Sequence, residues 1–107
     1  MHTMQDPQYH SLFDAATQMQ YKFHDFTAGE AAHHPEAGEL QNEIHQLVQD
    51  IATEKNPRSI EQRIKTIQHE LESAKHSGSL PMNYEHQDIL HDHFEDMRNS
   101  VRKFTHY

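Results

Sequence analysis

One apolar stripe recurs four times along this chain, and it constrains the fold more than any other feature. Leu12, Ala16, Met19, Phe23 and Phe26 make the first pass, and Leu40, Ile44, Leu47 and Ile51 the second. Ile60, Ile64, Ile67 and Leu71 follow, then Leu90, Phe94, Met97, Val101 and Phe104. Every step is three or four residues, the spacing that stacks side chains on one face of an α-helix. Strand-like alternation nowhere persists. Four amphipathic helices of similar length have to bury their stripes against one another, and short connections favour antiparallel neighbours. The expected fold is therefore all-α: an antiparallel up-down-up-down four-helix bundle forming a single domain over residues 1–107. Two other arrangements use the same helices, a pair of long hairpins completed as a dimer and three helices packed on a loose first one.

Local signals place the helices at about 7–26, 37–55, 59–76 and 83–104. Asp6 is a good N-cap and Pro7 is tolerated at the first helical position. Asn56-Pro57 breaks the chain, and Ser59-Ile60-Glu61-Gln62 then reads as a capping box opening the third helix. Gly78 suits the position just past a helix end, Pro81 cannot continue a helix, and Asn83 is a suitable N-cap for the fourth. The segment 27–35 has the weakest pattern.

Composition limits the core. Mean hydropathy is -1.03, and Leu, Ile, Val and Phe together make up fewer than one residue in five. That is the range in which charged chains can fail to fold, but the apolar residues fall on the stripes, which disorder does not require. A thin core makes a homodimer an expected way of burying more surface. The chain has no cysteine, which removes disulfides and thiolate chemistry and fits a reducing interior. No apolar run approaches the length of a membrane span, and no signal-peptide pattern is visible. A soluble, cytoplasmic protein without a membrane partner is expected.

The formal charge is -8 with neutral histidines, so nucleic acid, which needs clustered Lys and Arg, is not an expected partner. The cations Arg98, Arg102 and Lys103 close the fourth helix, where the helix dipole favours them. No nucleophile elbow, phosphate-binding glycine loop or HExxH motif is present, so enzymatic activity is not expected. The second stripe is Leu and Ile, without the inward carboxylate that a di-iron bundle needs.

Twelve histidines are the remaining unusual feature. In the expected topology His24, His33, His34, His76 and His86 gather at one end with several carboxylates. They are the candidate ligands of an alternative reading, a His/carboxylate bundle binding Zn²⁺. The leading expectation is a non-enzymatic bundle acting by protein–protein contact, as a regulator, adaptor or immunity-type protein, with no cofactor. Aromatic and Met residues off the narrow stripes are its candidate surface: Tyr9, Tyr21, Met82 and Tyr84. Phe13 and Ile89 fit a widened core stripe better. Protonating all twelve histidines turns the charge from -8 to +4, so surface charge inverts on mild acidification.

Overall fold

Four helices account for most of the chain in the computed structural model, which describes residues 6–104. They are α1 (Pro7–Phe26), α2 (Pro35–Ala52), α3 (Pro57–Ser77) and α4 (Tyr84–Arg102), with a short 3-10 turn at Ala31–His33 between α1 and α2. Among the described residues there is no strand, and no helix is long and apolar enough to cross a membrane.

The helix starts follow from capping chemistry. Asp6 accepts from the Gln8 N–H at 2.9 Å, ahead of Pro7. Asn83 accepts from the His86 N–H at 2.8 Å. Helix α3 corrects the sequence reading, because it begins at Pro57 and not at Ser59. Asn56 accepts from the Arg58 N–H at 2.8 Å and Pro57 occupies the first turn. Ser59 and Gln62 therefore lie inside the helix, and the capping box does not form. Pro35 likewise opens α2 two residues earlier than expected, since proline at the first position gives up no hydrogen bond. That helix also ends earlier, at Ala52. Glu54 takes φ 52° there, a left-handed conformation adopted without glycine, and Asp6 N donates to its carboxylate at 3.1 Å. Gly78 ends α3 at φ 66°, as its position in the sequence predicts.

All four stripes face one apolar core. Each stripe residue is buried except Phe26, which is half-buried and packs against that core. Phe13 also packs on it, and Ile89 is half-buried. Each helix packs on the next in sequence, and α4 returns to α1, where the contact is sparsest. At one end, Tyr9 donates to the Lys55 carbonyl at 2.6 Å and sets its ring edge against Phe104. At the other end Phe26 stacks on His86, and Ser79 donates to Glu36.

Two carboxylates are buried where the sequence suggested none. Asp50 on α2 accepts from Arg63 Nε at 2.5 Å and from Gln46 at 3.2 Å, with Lys55 Nζ also 3.2 Å away. Glu61 on α3 accepts from Arg102 Nε at 2.7 Å, with Arg98 Nε 3.5 Å away. Arg98 and Arg102 thus bridge two helices as well as sitting at a favourable helix end. Burial pushes the Asp50 carboxyl up, but the hydrogen bonds from Arg63, Gln46 and Lys55 and the Arg63 charge outweigh it and hold it below the usual carboxylate value.

Candidate interaction surface at the α3–α4 corner

The corner between α3 and α4 is shaped by backbone requirements first. Gly78 reverses the chain, and Ser79 N donates to the Ala74 carbonyl at 3.1 Å to close the last turn of α3. Leu80 then turns into the core, and Met82 is half-buried against it. The Asn83 cap starts α4 immediately, so Tyr84 lands on the outer face of its first turn. Tyr84 is 59% exposed and Tyr21 67%, and these two are the exposed large hydrophobic residues among those described. A shallow cavity of about 280 Å³ sits at the corner, lined by Leu80, Met82, Asn83, Tyr84, Gln87 and Gly78.

Gln87 gives this cavity a polar feature. Its side chain is buried at 2% exposure. Nε2 donates to the Met82 carbonyl at 3.0 Å, which orients the amide. Oε1 is buried with no hydrogen-bond donor among the described residues. Beside it, Lys75 Nζ lies 2.5 Å from Asp88 and 5.9 Å from the Tyr84 ring centroid. The Asp88 hydrogen bond raises the Lys75 pKa above its ordinary value.

Of the four residues expected on an interaction surface, the corner brings Met82 and Tyr84 together. Tyr21 is exposed, on α1. Tyr9 is a correction: it is 8% exposed and belongs to the core. Its ring completes the packing on Phe104, and its hydroxyl reaches a carbonyl at the edge of the core. That is how a buried tyrosine is usually satisfied. Burial, and then the charges of Asp6 and Glu54, push the Tyr9 hydroxyl pKa up.

The five candidate metal ligands do not assemble. His24 and His33 are exposed, and His34 is half-buried at the N-cap of α2. His76 is exposed and pairs with Glu72 at 3.3 Å along its own helix. His86 lies flat on Phe26, with ring centroids 4.0 Å apart. Among the described residues no group of three His, Asp or Glu side chains converges as a metal site requires. Shared placement at one end of the molecule does not make their nitrogens converge.

A second surface feature escaped sequence reading. Glu36, Glu39 and Glu70 line a groove of about 240 Å³ between α2 and α3 together with His69, Ser73 and Leu40. Burial, then the Glu43 and Glu39 charges, raise the Glu70 pKa. These residues lie far apart in sequence, and only the α2–α3 packing reveals them as one surface.

No protein-family model matches this chain, and no curated protein or solved structure matches it either.

Proposed function

We propose that this chain is an antiparallel up-down-up-down bundle that works by binding another protein in the cytoplasm, with the α3–α4 corner as its docking face. The topology is supported by contacts joining the start of α1 to the end of α2, and the end of α3 to the start of α4. Tyr84 carries the functional reading. A tyrosine left 59% exposed beside Met82, at the edge of a shallow cavity, has the make-up of an interface anchor. Tyrosine and methionine are both enriched at interfaces, and tyrosine buries much area while losing little side-chain entropy.

The test compares affinity capture by the wild-type chain, Tyr84→Ala and Tyr21→Ala, each checked for an unchanged circular-dichroism melt. The expected result is a specific protein retained by wild type and Tyr21→Ala and lost with Tyr84→Ala. Retention of the same proteins by Tyr84→Ala refutes the assignment. Sedimentation across a concentration series identifies a second copy as the partner if the mass doubles in wild type and not in Tyr84→Ala.

A further inference from the structure

Besides its apolar packing, the second half of α1 is tied to its neighbours, among the described residues, by three polar or ring contacts, and each uses a histidine. Gln20 Nε2 lies 3.1 Å from His45 Nδ1 on α2. Lys22 Nζ lies 3.2 Å from both ring nitrogens of His93 on α4. Phe26 stacks on His86, also on α4. The other seams are tied differently. Arg63 joins Asp50 and Glu43 across α2–α3, while Lys75 joins Asp88, and Arg98 and Arg102 join Glu61, across α3–α4. Those charges persist through the range, about pH 5 to 8, in which histidine changes its charge.

Protonation affects the three histidine contacts differently. The Gln20 amide can turn and offer its oxygen to an imidazolium, since an amide both donates and accepts. The face of Phe26 attracts a cation. Lys22 has only donors to offer. A neutral His93 accepts from it, whereas a protonated His93 cannot accept and repels it.

The surroundings of His93 do not offset this. It lines a groove of about 240 Å³ between α1 and α4, where the α1 side supplies the uncharged Gln8, Ser11 and Gln18, and its own helix supplies Asp96 and Ser100. The other helix packed on α4 is α3. Its charged and titratable contacts go to Tyr84, Asp88, Glu95, Arg98 and Arg102. Those positions are two, five and nine residues from His93, which places them on the opposite face of α4. Lys22 and Asp96 are thus the charged groups that these contacts and this groove place about His93 among the described residues. Asp96 is exposed to solvent at the groove, while Lys22 is in direct contact.

We infer that Lys22 and His93 form an acid-sensitive latch across the α1–α4 seam, which releases the second half of α1 from α4 when His93 gains a proton. Release opens the groove over its apolar floor of Leu12, Ala15, Met19 and Met97. The sign separates this from a general effect of charging the histidines. His10–Asp14, His76–Glu72 and His91–Asp92 all gain attraction on protonation, and Lys22–His93 alone among these contacts turns repulsive. The inference is independent of the docking role of the α3–α4 corner.

Hydrogen-exchange protection factors, which divide out the intrinsic pH dependence of exchange, test it at about pH 7.5 and about pH 5.5, on either side of the ordinary histidine value. In wild type, protection of α1 amides from Thr17 to Phe26 is expected to fall about two- to fivefold relative to α3, the scale of a solvent-screened contact between two charges. His93→Gln keeps an acceptor for Lys22 and does not titrate, so the fall should disappear. Lys22→Met removes the repelling cation and should also abolish it, and this variant decides the question if His93→Gln does not fold. No fall in wild type, an equal fall in all four helices, or an undiminished fall in both variants overturns the latch.

Discussion

Arg63→Met tests whether the buried charges on the bundle's rim hold the helices in place. Arg63 bridges Asp50 and Glu43 across the α2–α3 seam, and the Asp50 side chain is only 3% exposed. Two unit charges about 4 Å apart attract by about 4 kcal/mol at the effective dielectric of a site near the surface. Removing one member of a buried pair costs about 3–5 kcal/mol, because the other charge stays buried without compensation. Lys55 and Gln46 remain on Asp50 and offset part of that cost, so the expected loss falls just below this range, at about 2–3 kcal/mol. Urea unfolding near neutral pH reads it directly. A double-mutant cycle with Asp50→Asn should return a coupling of about 1–3 kcal/mol. The acid limb is diagnostic as well. The folded-state pKa of Asp50 lies below its ordinary value, so its contribution is complete above the unfolded carboxylate value of about 3.9 and is lost as pH falls through the lower folded value. Removing Arg63 takes away a donor that lowers this pKa, so the acid transition of the variant should move to higher pH. A loss below about 0.5 kcal/mol with an unmoved acid transition would refute the reasoning, because it would place Asp50 in effective contact with water.

Two further substitutions probe the core. Phe23 and Ile64 are almost completely buried, so Phe23→Ala and Ile64→Ala should each cost about 2–5 kcal/mol in denaturant melts, and less than about 1 kcal/mol at both would sink the packing described for α1 and α3. Tyr9→Phe keeps the ring against Phe104 and removes the bond to the Lys55 carbonyl; a loss of about 0.5–1.5 kcal/mol is expected, and an unchanged melting temperature would show that the hydroxyl is not bonded.

The stripes were legible because helix period and core burial express the same constraint. A residue at three- or four-residue spacing among apolar neighbours has no other direction to face. Asp6, Gly78 and Asn83 were legible because each meets a backbone need within four residues of itself. Ser59 misled for a related reason. A Ser with Gln three residues later suits a helix start, yet Asn56 and Pro57 had already met that need three residues upstream. Glu54 gave no warning, since a left-handed residue that is not glycine has no sequence signature. Asp50, Glu61, Gln68 and Gln87 sit at the margins of their stripes. Whether a marginal polar residue is buried depends on the side chain that another helix brings to it, and local periodicity does not carry that. The exposure of the aromatic residues was half legible for the same reason: Tyr84 and Tyr9 look alike in sequence, and only Lys55 and Phe104 make one of them core. The histidine end fails as a metal site on finer grounds, since topology gathers helix ends but not the directions of their nitrogens.

The margin residues also bear on how so polar a chain selects one arrangement of four similar helices. Apolar stripes of equal length pack in several orders and registers at little difference in cost. Asp50 and Glu61 do not. Each is buried, and each meets its cation at one level of one seam: Asp50 with Arg63 on α3, Glu61 with Arg98 and Arg102 on α4. A shifted register or exchanged neighbour leaves a carboxylate in the core without its guanidinium, at a cost of several kcal/mol. That is a large share of the whole, since domains of this size are stable by about 5–15 kcal/mol in all. Helix α1 carries no buried charged side chain. It docks through its apolar stripe, the Tyr9 hydroxyl and contacts to three histidines. Positional specificity therefore resides in the charge pairs of α2, α3 and α4, and α1 is the helix whose docking can change without breaking any of them.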